Sequence, residues 1–129
     1  MNYLLDTNAV IAMMEGRGAV EEEMRRHRLN EFGLPAMVVY ELYVGAFRSS
    51  RKQESLARLE ALPFTSVALD RGDARTAGQI RVHLEQQGRP IGPGDVLIAG
   101  QALARDLTLV THNIREFQRV PGLRVVDWT

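Results

Sequence analysis

Leu107-Thr108-Leu109-Val110-Thr111 is an apolar, β-branched run of the kind that forms a strand buried in a parallel sheet. Just before it lies a second apolar run, Val96 to Ala104, long enough for about two and a half helical turns at roughly 3.6 residues each. A helix that feeds directly into a buried strand restricts the chain to α/β architectures. The segment Arg89-Pro90-Ile91-Gly92-Pro93-Gly94 is rich in turn formers and reads as non-helical, so the helix is expected to open at Asp95. Polar residues, His112 to Phe117, follow the strand. One acid therefore stands at a helix start and further polar groups stand at a strand end. In open parallel sheets, sites form outside the carboxyl ends of the strands.

The rest of the chain repeats this alternation. Tyr3-Leu4-Leu5 reads as a short buried strand ending at Asp6. Thr7 and Asn8 are good caps for a helix from Ala9 to Glu15, which Gly16 and Gly18 would break. Ala19 to Arg28 reads as a charged helix with Val20, Met24 and Leu29 as its inner stripe, and Phe32-Gly33-Leu34 as a second strand. Pro35 can start the next helix, Ala36 to about Ser49, which is apolar on too many faces for one core. An amphipathic helix is expected over Arg51 to Leu62 and a strand over Phe64 to Leu69. A long helix, Asp70 to Gln87, carries the stripe Ala74, Ala77, Ile80, Leu84, and a last strand covers Leu123 to Val126. The expected fold is α/β: three layers, with a central, mostly parallel sheet of four to five short strands flanked by helices. With 129 residues, no repeat and no linker, a single domain over residues 1–129 is expected.

Bulk properties narrow the function. The formal net charge is zero, so the chain as a whole does not attract polyanions. Of 16 basic residues only Lys52 is lysine. Arginine's planar fork suits phosphate, although biased base composition gives the same excess. The absence of cysteine excludes disulfides and thiolate metal sites. The start lacks the charged and apolar regions of a signal peptide, and no apolar run approaches the ~20 residues of a membrane span, so a cytoplasmic location is expected.

Three acids stand out. Asp6 ends the first strand, and Asp95 opens a helix; taken singly, each reads as an ordinary cap. Glu41 is the only charge between Pro35 and Arg48, on an apolar helix. A carboxylate there must face solvent, pair with a base or bind a cation, because burying it alone is too costly. Read together, Asp6, Asp95, Thr111, Asn113 and Glu116 fall on one rim if the strands are parallel neighbours. Clustered carboxylates repel, and one pKa rises unless a cation sits between them. Oxygen ligands without cysteine or histidine select Mg²⁺ or Mn²⁺, metals that hold phosphates and activate water. The histidines form no zinc pattern; His27 and His83 read as solvated, and His112 lies near the rim.

At these residues the chain resembles the PIN-domain ribonucleases. The resemblance rests on Leu4-Leu5-Asp6-Thr7-Asn8, then Tyr40-Glu41-Leu42 with Gly45-Ala46, then Pro93-Gly94-Asp95 with Ile98-Ala99, then Thr111-His112-Asn113 with Glu116-Phe117. It covers essentially the whole chain and is closest to the VapC toxins. The stretches Gly78 to Arg81, Gly88 to Pro93 and Arg119 to Trp128 are similar to the VapC subgroup that acts on initiator tRNA. The resemblance implies that Asp6, Glu41 and Asp95 are catalytic metal ligands and that Glu116 is a fourth catalytic acid. Thr111 and Asn113 would support them. Many PIN domains carry Asp where this chain has Asn113, which leaves the fourth ligand and a second metal open.

The same resemblance implies an endoribonuclease toxin of a type II toxin–antitoxin pair, dependent on Mg²⁺ or Mn²⁺ and cutting RNA, with tRNA as the expected substrate. It implies a homodimer, a hetero-oligomer with a VapB antitoxin, and operator DNA reached only through that antitoxin. Arg48, Arg89 and Arg115 are the candidate RNA contacts, with Arg17, Arg25, Arg26, Arg28, Arg51 and Lys52 as further cations; solvated helix faces are the plainer account of most of these. Two other readings stand beside it: a PIN fold that binds its partner without cutting, and a phospho-receiver domain. The receiver reading lacks an acidic pair at the first strand and a strand-end lysine.

Overall fold

Asp6 ends the innermost part of the sheet, and the sheet is built around its strand. The computed structural model describes residues 1–129. Five short strands form one sheet: β1 (Tyr3–Leu5), β2 (Phe32–Pro35), β3 (Thr65–Val67), β4 (Thr108–Val110) and β5 (Val125–Val126), in the order β3-β2-β1-β4-β5. Every neighbouring pair is parallel, so the sheet is wholly rather than mostly parallel. Leu4 pairs with Leu109, and Leu5 with Val110. All four side chains are fully buried, although neighbours on a strand point to opposite faces. Both faces of the sheet are therefore covered, which is why these strands read as continuous apolar runs rather than alternating ones.

The covering helices are α1 (Thr7–Met14), α2 (Val20–Met24), α3 (Ala36–Arg48), α4 (Lys52–Glu60), α5 (Arg71–Gln86), α6 (Pro93–Ala104) and the single turn α7 (Ile114–Phe117). The strand order settles one alternative: a receiver-type sheet runs 2-1-3-4-5, and this one does not. Its order reverses between β1 and β4, so the crevice at their carboxyl ends is the topological switch point, the usual place for a site.

Several local expectations need correction. Asp6, not Thr7 or Asn8, caps α1, because its carboxylate accepts the Thr7 N–H and frees both following side chains. The charged helix stops at Met24, and Leu29 is exposed in a 3-10 turn. Too few apolar residues follow Met24 to hold another turn against the core. Pro93 and Gly94 lie within the first turn of α6, where a proline's missing N–H costs nothing. The inner stripe of α5 is Asp73, Ala77, Ile80 and Leu84, with Ala74 exposed. Buried Asp73 is held by Arg105, whose Nε and Nη2 donate to its two oxygens at 3.1 and 2.8 Å. That fork keeps the Asp73 carboxyl below the ordinary range against the opposing effect of burial. At Gly100 of α6 a Cβ would lie 2.6 Å from the Ala77 Cβ, so only glycine lets α5 and α6 approach this closely.

His27 is not simply solvated. Its ring packs edge-on to Tyr3 at 5.0 Å and stacks on Trp128 at 6.0 Å, with Phe32 5.8 Å away. This aromatic group fastens the segment after β5 to the start of β1. Ala19 N–H to Trp128 O, at 2.8 Å, adds a backbone tie.

Candidate active site

Leu5 is the last residue of β1, and the chain turns into α1 at Asp6. The carboxylate is 4% exposed. Oδ1 accepts the Thr7 backbone N–H at 2.8 Å, and Oδ2 accepts the Thr111 hydroxyl at 2.7 Å and the Asn8 amide at 3.2 Å. Asp6 is thus both a helix cap and the node of a network. Burial is the main force raising its pKa; the hydrogen bonds oppose the rise and the nearby Glu41 adds to it.

Thr111 lies one residue past β4, beside β1, and is fully buried. Its hydroxyl also accepts the Asn113 backbone N–H at 3.0 Å, which shapes the turn into α7. Asn113 in turn donates from its side chain to Glu116 Oε2 at 3.0 Å. Glu41 reaches the same rim from the middle of α3, half-buried, where Oε2 accepts the Thr7 hydroxyl at 2.5 Å. No basic side chain forms an ion pair with Asp6, Glu41, Asp95 or Glu116.

Asp95 differs from the other three acids. It lies in the first turn of α6, yet Gly92 is the cap residue and no side chain bonds the helix end. The capping account of Asp95 therefore fails. Its carboxylate accepts no hydrogen bond from the protein, in contrast to the donors found by Asp6, Glu41 and Glu116. Its pKa is pushed up to about 6, first by burial and then by the charges of Asp6, Glu116 and Glu41. The helix dipole favours ionisation at this position, so burial and like charge outweigh it.

The structure thus brings Asp6, Glu41, Asp95 and Glu116 into one electrostatic field at the switch point, with Thr111 and Asn113 between them. They do not close into a ready cage: no three acidic or histidine side chains stand close enough to hold a metal as they rest. Three of the four are instead drawn towards donors of their own, which relieves their repulsion. The donor set itself is entirely oxygen and suits a hard divalent cation.

Two members of the network carried no such role in the sequence. Asn8 bridges Asp6 Oδ2, the Thr111 hydroxyl at 3.4 Å and, through its Oδ1, the His112 backbone N–H at 2.8 Å. Thr7 tethers Glu41. The readable signal is that Asp-Thr-Asn offers two more polar side chains than one helix cap uses. Arg48, Arg89 and Arg115 are exposed and engaged in no ion pair. Arg17, Arg25, Arg26 and Arg51 are each paired with a nearby glutamate.

The comparisons with known proteins agree with this geometry. The profile of the PIN domain matches residues 3–123. The tRNA(fMet)-specific endonuclease VapC of Shigella flexneri is 37% identical, over 100% of this chain and 99% of its own length. Ribonuclease VapC1 of Haemophilus influenzae is 35% identical, over 100% and 99%. Among solved structures, DNA-bound VapBC from Salmonella typhimurium superposes with a TM-score of 0.92 at 32% identity, covering 100% of this chain and 99% of that one. VapBC2 from Rickettsia felis, bound to a fragment of promoter DNA, gives 0.89 at 29% identity over both full chains. Profile, relatives and the switch-point acids lead to one assignment: the chain belongs to the PIN-domain family, within its VapC ribonucleases.

Proposed function

We propose that this chain is the toxin of a VapBC pair, a divalent-metal-dependent endoribonuclease that cuts tRNA and is neutralised by a VapB antitoxin. The observation that carries the reading is Asp95, a partly buried carboxylate with no donor, facing three further acids and no base. Such a group is unfavourable alone and favourable beside a cation. Asp6, Glu41 and Asp95 would hold the metal, Mg²⁺ or Mn²⁺, and Glu116 would complete the acidic rim. When bound, the metal lowers the pKa of water and offsets charge developing on the phosphate. The protein's own residues do the rest. Thr111 and Asn8 fix the Asp6 carboxylate, Thr7 fixes Glu41, and Asn113 fixes Glu116, so the acids are oriented before RNA arrives.

The tRNA substrate, with initiator tRNA first among candidates, is supported by relatives with that specificity in Shigella flexneri and Salmonella typhimurium. The VapB partner is supported by the VapBC complexes that superpose on the full chain. Operator DNA would be contacted through the antitoxin. Arg48, Arg89 and Arg115, free of ion pairs, are the cations available to RNA. The protein would act as one PIN-domain unit in the cytoplasm, as a homodimer, and no helix is long and apolar enough to cross a membrane.

The test is cleavage of bulk bacterial tRNA by the purified protein, with Mg²⁺ and with chelator, beside Asp6→Ala. A discrete cut that requires both metal and Asp6 is expected. Metal binding without cleavage of any RNA would favour a PIN fold that only binds its partner. Cutting that survives Asp6→Ala would remove the acidic rim from the reaction.

A further inference from the structure

His112 is exposed at the rim, yet its ring is anchored. Its backbone N–H donates to Asn8 Oδ1 at 2.8 Å, and Asn8 Nδ2 donates to Asp6 Oδ2. One side chain therefore separates the His112 backbone from the Asp6 carboxylate. On the ring, Nδ1 lies 3.2 Å from Asp127 Oδ2 and 2.8 Å from the Thr129 hydroxyl. That hydroxyl donates to Asp127 Oδ1, so it receives rather than gives at Nδ1. Both neighbours of Nδ1 are then acceptors, and Nδ1 carries a proton. Asp127 is a firm acceptor: partial burial opposes its ionisation, but the bonds from Thr129 and His112 hold its carboxyl below the ordinary range. The only ring nitrogen left without a partner is Nε2, on a side chain that is 72% exposed.

This pair is not needed to hold the segment after β5. Thr111 N–H to Val126 O, Ala19 N–H to Trp128 O and the packing of Trp128 on Tyr3 and His27 already do so. An ion pair this exposed contributes little stability. What it does fix is the direction of an imidazole beside a rim that holds four carboxylates and no cationic side chain of its own. An RNA phosphate approaching that rim meets repulsion from every acid that a metal does not neutralise.

We propose that His112, oriented through Nδ1 by Asp127 and Thr129, binds an RNA phosphate next to the scissile one through Nε2, and so positions the strand against the acidic rim. The inference rests on the nuclease reading above. In the complex, Nε2 takes a proton from solution and donates it in a hydrogen bond to a non-bridging phosphate oxygen; no covalent bond is made or broken. The imidazolium then has a donor at each nitrogen, one facing Asp127 and one facing RNA. Asp127 is a positioning residue in this arrangement, because it acts only through His112.

The test is cleavage of bulk bacterial tRNA by the full chain with Mg²⁺, comparing wild type with His112→Ala, His112→Lys and Asp127→Asn at several salt concentrations. His112→Ala should raise KM about tenfold and leave kcat within about threefold. It should also flatten the dependence of log KM on log salt by about 0.7, the loss of one phosphate contact on a single strand. His112→Lys should recover most of both, and Asp127→Asn should give a smaller rise in KM. Melting temperatures should stay together, since the pair is solvated. Unchanged KM and salt slope in His112→Ala would overturn the proposal and leave the pair as a surface tie. A fall in kcat with KM unchanged would also overturn it, because His112 would then act on the reacting atoms. Wild-type protein that cuts no RNA would remove the nuclease reading, and this one with it.

Discussion

The Thr111 hydroxyl donates to Asp6 Oδ2 at 2.7 Å across 105 residues of sequence. Both residues are buried, and they terminate the two strands between which the sheet reverses its order. The bond therefore closes the switch point itself, and the Asp6 carboxylate owes its orientation to it.

Thr111→Val keeps the shape and removes the donor. An unsatisfied buried carboxylate oxygen costs about 1–3 kcal/mol, and loss of a group that orients a metal ligand typically costs about 10–100-fold in affinity or activity. Urea unfolding and tRNA cleavage should report both losses, and Thr111→Ser should recover most of each. Full activity in Thr111→Val would show that Asp6 is held by Asn8 and the Thr7 N–H alone.

Asp95 allows a test by pH. Its carboxyl is raised from 3.8 to about 6 in the fold. Between those values the folded chain holds a proton that the unfolded chain has released. Stability from this group is therefore present at low pH and lost as pH rises through about 6. After discounting for solvent screening, the ionised carboxylate costs the metal-free fold on the order of 1 kcal/mol. Metal-free Asp95→Asn should melt about 3–5 °C above wild type at pH 8, with the gap closing towards pH 4. Mg²⁺ should raise the wild type and not the variant. Only this difference is diagnostic, because Asp73 and Asp127 have lowered carboxyls whose stability is lost on acidification. Equal melting of the two proteins at pH 8 would mean that the acids do not strain the fold.

The strands and the long helices were legible because burial on both sheet faces leaves β-branched runs, and burial on one helix face leaves a stripe at helical spacing. The acids were legible for a different reason. Glu41 is the one charge on an apolar helix, and Asp6 and Asp95 stand where a strand or helix ends. What stayed hidden is long-range pairing. Asp73 reads as a surface residue of α5 until Arg105, 32 residues later, is seen to hold it. His27 reads as solvated until Trp128, about a hundred residues away in sequence, stacks on it. Asn8 reads as a cap because its partners, Thr111 and His112, are reached only through the parallel pairing of β1 with β4. No local pattern encodes such contacts.

Asn113 is the position at which the chain departs from the acid carried there by many PIN domains, and its geometry says what the departure does. Its Nδ2 donates to Glu116 Oε2 at 3.0 Å, so the amide satisfies a carboxylate that would otherwise face Asp95 without a donor. Asn113→Asp removes that donor and sets a second charge against Glu116. Without metal, the variant should lose about 1 kcal/mol at pH 8, because like charges at contact resist joint ionisation. With metal the sign should reverse, since added ligand charge strengthens binding of a hard cation. Calorimetric titration with Mn²⁺ should show affinity raised by about tenfold or more, and the melting temperature at saturating Mn²⁺ should match or exceed wild type. Weaker Mn²⁺ binding, together with the metal-free loss, would place Asn113 and Glu116 outside the reach of the cation and confine the metal to Asp6, Glu41 and Asp95.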